Sequence, residues 1–376
     1  MENNILRIIA LYLPQFHPIP ENDLWWGKGF TEWTNVGKAK PLFRGHYQPR
    51  VPADLGYYDL RLPEVRQEQA DLARQYGIEG FCYWHYWFGN GKRLLERPFN
   101  EVLASGKPDF PFCLGWANHS WSGIYVGVKS KDVLIEQTYN GIQDYERHFY
   151  DILPAFQDNR YILVAGKPFF LIFDPLNIPD PKIFIDCWQK LAVKNGLLGI
   201  HFVAHTYHSD QIQSLLDKGF DAVNTVRLFD YQTVGISFMQ KVINKIKREY
   251  FKVGFYPEYK DAIQYFSGKE DFELNVYPTI IPDWDHSPRT GKYGAILKNA
   301  SPELFGKQLE KTFNNVKAKP EQQRIVILKS WNEWAEGNYI EPDLKFGRQY
   351  LETLKREIEN ISCARLSMQD LRKPYR

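Results

Sequence analysis

Three observations predict an α/β chain folded as one closed (β/α)8 barrel. Short β-rich apolar runs recur eight times, and most are separated by segments with helical spacing. The densest cluster of acids, amides and indoles lies directly after the eighth run. Strand and helix alternating eight times reads as a parallel sheet closed on itself, with functional side chains at the C-terminal ends of its strands.

The runs fall at residues 8–13, 80–84, 112–116, 169–173, 200–204, 222–226, 276–281 and 325–328. Between them, residues 62–76, 144–153, 181–195, 210–218, 302–317 and 348–361 read as helices, several with apolar side chains at i, i+3, i+4 and i+7. Residues 14–60, rich in Pro, Gly and Trp, and residues 227–272 are long for simple connections. They follow the first and sixth strands, which predicts long βα-loop insertions on the C-terminal rim. Neither has the apolar periodicity for its own core. Residues 1–364 are therefore expected to form a single catalytic domain, with residues 365–376 as a C-terminal tail.

A chain of 376 residues that is 44% hydrophobic can bury a large core. Lys and Arg total 47 against 45 Asp and Glu, and no block of five or six like charges supplies a stripe for nucleic acid. Cys82, Cys113, Cys187 and Cys363 lie far apart without CxxC spacing, which fits a reducing compartment. The opening residues carry no cationic leader with a small-residue cleavage site, and no run approaches the roughly 20 apolar residues of a membrane span. A cytoplasmic location is the resulting expectation, and no protein partner is indicated. Aromatic residues are the anomaly: 11 Trp, 23 Tyr and 25 Phe make up 16% of the chain, many beside Gly, Asn, His or Pro. Flat rings backed by polar groups suit an oligosaccharide or polysaccharide substrate, whereas rings filling a core need no polar neighbours.

The segment Lys329-Ser330-Trp331-Asn332-Glu333-Trp334-Ala335-Glu336-Gly337 carries the chemistry. Glycosidic cleavage needs one carboxyl group that keeps its proton and a second that acts as base or nucleophile, and indoles nearby exclude water and raise the acid's pKa. Glu333 and Glu336 are the catalytic candidates. The same strand-end argument selects substrate-binding candidates: Tyr12, Gln15, His17 and Trp33 after the first strand, and Trp84, His85 and Tyr86 after the second. Trp116 and Asn118 follow the third, Trp284, Asp285 and Arg289 the seventh, and Trp331, Asn332 and Glu341 the eighth. Asp283-x-Asp285 superficially matches the DxD that holds a metal and sugar diphosphate in transferases. The sequence has no GxGxxG after a strand, P-loop, GxSxG or HExxH, and neither a metal nor another cofactor is expected.

Several of these motifs occur together in a familiar order. Ala10 to His17, Gly77 to Phe88, Trp116-Ala117-Asn118, Trp284-Asp285 with Pro288-Arg289, and the Trp331 to Gly337 segment with Glu341-Pro342-Asp343 resemble the WbsX-like proteins from about residue 8 to 355. That family is similar in turn to glycoside hydrolase family 99, the endo-α-mannosidases. The resemblance implies a metal-independent (β/α)8 enzyme acting with retention through a 1,2-anhydro sugar. Glu333 then matches the base that acts on the substrate 2-hydroxyl, and Glu336 the acid that protonates the leaving oxygen. It also implies an α-linked bacterial surface polysaccharide, O-antigen or capsule, as substrate. One departure is His119, where the family pattern Trp-Ala-Asn-Glu-x-Trp has Glu, at a position that bears on substrate preference. Three readings follow: an endo-acting hydrolase or transglycosylase that needs both glutamates and no metal; a glycosyltransferase that binds an activated donor; and a carbohydrate-binding barrel that tolerates loss of either glutamate.

Overall fold

A computed structural model describes residues 6–122, 132–251 and 253–370, with side chains described as far as Cys363. Eight parallel strands form the barrel: β1 (Arg7–Tyr12), β2 (Gly80–Trp87), β3 (Phe112–Trp116), β4 (Lys167–Ile172), β5 (His201–Thr206), β6 (Ala222–Thr225), β7 (Val276–Ile280) and β8 (Ile325–Leu328). They pair in chain order. The sheet closes because β1 pairs with β8, Ile8 opposite Val326, and also with β2, Ala10 opposite Phe81. Both faces of a parallel barrel strand are covered, so burial along the strands is nearly continuous rather than alternating; all eight residues of β2 and all four of β8 are buried.

All eight predicted strands form, and the predicted helices are close in extent: Pro63–Gln75, Ile142–Phe156, Pro181–Lys194, Ile212–Asp217, Pro302–Val316 and Gln349–Asp370. Three begin with proline, whose fixed φ suits a first turn and whose missing N–H is no loss there. Asp180 caps the helix Pro181–Lys194 by accepting from the Lys182 and Ile183 amides, a contact worth about 1 kcal/mol. That helix then buries Phe184, Ile185, Trp188, Leu191 and Ala192 against the barrel wall. One outer helix, Arg97–Ser105, has no counterpart in the sequence reading. It is short, begins with Pro98 in its first turn and stops at Gly106 in the left-handed region. The last helix runs past Arg365, where the tail was expected to begin; residues 371–376 lie outside the described residues.

The loop of residues 14–60 contributes the helices Pro20–Trp26 and Glu32–Lys38. Asn332 pins its start to the β8 exit, accepting from the Leu13 amide at 2.8 Å and donating to the Leu13 carbonyl at 3.0 Å. Residues 227–272 hold the helices Asp230–Val234, Phe238–Ile246 and Tyr259–Ala262. Tyr259, Ile263 and Phe266 of that insertion build a satellite apolar cluster with Ile281 and Trp284 at the β7 exit.

Candidate active site

Beyond Leu328 the chain turns through a miniature hairpin, Asn332–Glu333 pairing with Asn338–Tyr339 around the tight turn Trp334–Glu336. Ser330 fixes its base, accepting from the Glu333 amide at 3.2 Å and donating to the Asn338 carbonyl at 2.6 Å. Gly337 ends the turn at φ 59°, and a Cβ there would stand 2.7 Å from the Asp285 Cβ, so only glycine fits. This hairpin directs Glu333 and Glu336 into a cavity of about 150 Å³ at the barrel mouth.

Arg289, on the short helix Ser287–Thr290 after β7, organises the acids. Its Nη1 donates to Glu336 Oε1 at 2.6 Å, and its Nη2 donates to Glu333 Oε1 at 3.1 Å. The same Nη2 lies 3.2 Å from Glu32 of the first insertion. Lys329 Nζ sits 4.0 Å from Glu336 Oε2 and 5.3 Å from the centre of the Trp284 ring. Burial raises the Glu333 pKa and the charge of Glu336 adds to it, against Arg289 and Lys329. Burial also raises Glu32, opposed by Arg289. His286, 3.7 Å from Glu336, is pushed down to about 4 by burial and by Arg289, so it stands neutral. Around these charges the cavity is walled by Trp26, Trp84, Tyr86, Trp121, Tyr207 and Trp284, with Gln15 and His119 among the polar lining.

Of the residues expected at the site, the structure brings Glu333, Glu336, Gln15, Trp84, Tyr86, Trp284 and Arg289 to this cavity. The others lie elsewhere, and the two-residue period of a strand accounts for three of them, Tyr12, His85 and Trp116. His85, between Trp84 and Tyr86, points out of the barrel to His148 on the helix Ile142–Phe156, 2.8 Å away. Tyr12 likewise turns outward and donates to Gln69 at 2.7 Å. Trp116 donates to the Trp87 carbonyl and packs on Phe184. Trp331 is fully buried against Phe81. Asn118 is locked to Asp174 through the backbone in both directions, and Asn332 to Leu13. Trp33 donates to the Tyr58 carbonyl and packs on Trp334 from behind the hairpin. His17 is buried among Asp59, Arg61 and Arg97, away from the cavity.

Glu341 and Asp285 brace the hairpin from outside. Glu341 accepts from Tyr58 at 2.8 Å, Gln69 at 2.7 Å and the Trp334 indole at 2.6 Å. Asp285 accepts from Gln48 at 2.7 Å and from the Ser287 amide at 2.9 Å, and pairs with His46 at 2.8 Å; Asp283 pairs with Arg50 at 2.8 Å. The Asp285 amide in turn donates to the Glu336 carbonyl at 2.6 Å. Glu32, Lys329 and Tyr207 are lining residues the sequence reading did not select. Lys329 had a signal, as the first residue after β8. Glu32 had a weaker one, as the acid of an aromatic loop, and nothing local marks Tyr207.

A (β/α)8 barrel with buried carboxylates in an aromatic cleft defines the class. Similar architecture is seen in the GH99 endo-alpha-mannosidase from Bacteroides thetaiotaomicron, solved in complex with BIS-TRIS-Propane (TM-score 0.60, 15% identity, covering 96% of this chain and 98% of that one). A structure described as a glycoside hydrolase-like protein aligns with a TM-score of 0.59 at 16% identity, covering 94% of each chain. The chain belongs to the family described as Glycosyltransferase WbsX, matched over residues 8–354. The uncharacterized protein WxcX of Xanthomonas campestris pv. campestris is 36% identical over 359 residues. Those residues are 93% of this chain and 49% of that protein, so the chain spans about half the length of the curated relatives it matches. Family and fold together make this a WbsX-family chain folded as a (β/α)8 barrel like those structures.

Proposed function

We propose that the chain is a retaining glycoside hydrolase, or a transglycosylase with the same chemistry, acting within an α-linked bacterial surface polysaccharide. The observation that carries this reading is the placement of Glu333 and Glu336 on the two arms of one guanidinium group, inside a cavity walled by indoles. Burial, with the nearby charge of Glu336, raises the Glu333 pKa and so favours a proton there. One acid and one base side by side are what glycosidic cleavage requires.

In the route carried over from the family resemblance, Glu333 removes the substrate 2-hydroxyl proton as O2 attacks the anomeric carbon. Glu336 protonates the departing glycosidic oxygen as its bond to that carbon breaks. Water then opens the 1,2-anhydro ring at the anomeric carbon, giving a proton to Glu336, while Glu333 returns its proton to O2. A sugar hydroxyl in place of water gives transglycosylation. Arg289 keeps both carboxyl groups in register, and Trp84 and Trp284 offer faces to the sugar. A raised Glu333 is the direction expected of the acid, opposite to these roles. A leaving-group series separates the two: if Glu336 is the acid, E336Q keeps turning over substrates with an activated leaving group, and E333Q does not.

A transferase using Asp283 and Asp285 to hold a metal and sugar diphosphate is the alternative suggested by the family description. Both carboxylates already serve Arg50, His46, Gln48 and the Ser287 amide, which favours hydrolysis. The deciding experiment is a product screen on mannose-, rhamnose- and glucose-based oligosaccharides beside sugar nucleotides, each with and without EDTA. Oligosaccharide cleavage unaffected by EDTA supports the proposal. Turnover that needs a sugar nucleotide, vanishes with EDTA and returns with Mn²⁺ overturns it.

A further inference from the structure

The insertion after β6 carries a helix that, among the described residues, stands away from the core. Phe238–Ile246 and its wider continuation Lys247–Phe251 bury no residue at all. Phe238, Met239, Val242, Ile243, Ile246 and Tyr250 stand at i, i+1, i+4, i+5, i+8 and i+12, which gathers them on one side of the helix. That side faces solvent: Phe238 is 81% exposed and Tyr250 78%. Lys241, Lys245, Lys247 and Arg248 occupy the remaining arc and flank the stripe on both sides, with Glu249 the single acid of the segment. Glu249 offsets Lys245 across 4.0 Å, and Lys241 reaches the Thr233 carbonyl. An amphipathic helix ordinarily turns such a stripe toward a core. Here the satellite cluster of this insertion is built by Tyr259, Ile263 and Phe266, and the stripe is left over.

The base of this arm is tied beside the cleft. Val253 donates to the Lys247 carbonyl, and the Gly254 amide and Tyr256 hydroxyl donate to the Lys292 carbonyl at 2.7 Å and 2.6 Å. Lys292 lies three residues beyond Arg289, the residue that joins the three site carboxylates.

We propose that residues 238–251 form an interfacial arm that docks on an anionic lipid surface and holds the barrel mouth against glycans carried there. The charge pattern selects that occupant. Bulky apolar residues on one face with lysine and arginine along its flanks match insertion at the headgroup boundary of an anionic bilayer, where cations meet lipid phosphates. Protein interfaces are instead depleted in lysine. Among the described residues no helix is long and apolar enough to cross a membrane, so the contact is one of surface docking. The proposal does not rest on the reaction assigned to the cleft, because docking is measured without any glycan.

Co-sedimentation with vesicles tests it. The chain is expected to pellet with vesicles of equal parts phosphatidylglycerol and phosphatidylethanolamine, to stay in solution with phosphatidylcholine, and to be released by salt. K241E/K245E should lower the partition about 25-fold or more, at roughly fivefold per cation lost. F238S/I246S, at unchanged charge, should also abolish it. Both variants should stay within a few degrees of the parent melting temperature, since none of these residues is buried, and near-equal melting separates lost docking from lost folding. Failure of the parent chain to bind the anionic vesicles, or binding that survives both variants, overturns the proposal. A dimer in solution that dissociates with F238S/I246S would assign the stripe to a second copy, and overturns it equally.

Discussion

Trp84 and His85 are consecutive residues of one strand, and they face opposite environments. Trp84 closes the cleft over the carboxylates, while His85 stacks on His148 between the barrel and an outer helix. The contrast repeats around the mouth. Tyr86, Trp284, Glu333 and Glu336 turn inward, whereas Tyr12, Trp116, Trp331 and Glu341 turn into the wall. Residue type does not distinguish the two sets; strand phase and turn geometry do. Aromatic and acidic side chains at strand ends therefore mark the correct end of the barrel without marking which of them a ligand meets.

The sharpest way to break this comparison is to change an acid of the inward set. Glu333→Gln or Glu336→Gln should lower activity about 10²–10⁴-fold or more while leaving melting temperature unchanged or raised, because like charges in one buried site are relieved. Activity near the parent level in either variant would remove both from the catalytic set. Next in size is Trp116→Ala, which should cost roughly 3–5 kcal/mol of folding free energy with KM unaltered in the folded fraction. A KM effect without a stability loss would put Trp116 back in the site. Smaller is Trp284→Ala, where loss of a sugar-stacking face worth about 1–1.5 kcal/mol should weaken oligosaccharide binding about tenfold by calorimetry. Unchanged affinity in the folded variant would make Trp284 only part of its satellite cluster.

The contrast also explains what was legible beforehand. The barrel was readable because its evidence is local: eight apolar runs whose bounds agree with the strands to within three residues. The site was half readable. Glu333, Glu336 and Arg289 lie near one another in the folded chain because each follows a strand end, and strand ends are visible in the sequence. Phase is harder, since a buried parallel strand is apolar on both faces and the usual alternation is missing from β2. Glu32 was missed because its partnership with Arg289 spans 257 positions, a separation no local pattern encodes. Asp285 and Asn332 were selected for the right neighbourhood and turned out to hold the hairpin rather than face the cavity.

The smallest effect concerns Glu341, the wall-side counterpart of Glu333. Burial pushes its pKa from 4.5 up to about 7, against the hydrogen bonds from Trp334, Gln69 and Tyr58. Between those values the folded chain binds a proton that the unfolded chain has released. Stability from this group is therefore complete below about pH 4.5, declines as pH rises toward about 7, and changes little above it. Other acids of the chain whose pKa is lowered, such as Asp59 and Asp158, act with the opposite sign at lower pH, below this window. Glu341→Gln carries no proton to lose, so its melting temperature minus the parent's should rise between about pH 5 and about pH 7.5; buried histidines with lowered pKa, such as His205 and His286, act with the opposite sign in this window but equally in both chains. Parallel melting curves across that interval would mean that Glu341 stays ionised in the folded chain, held as an anion by its three donors. In that case the brace behind the hairpin would add a fixed negative charge near Glu333, and the pH dependence of activity, rather than that of folding, would carry its signature.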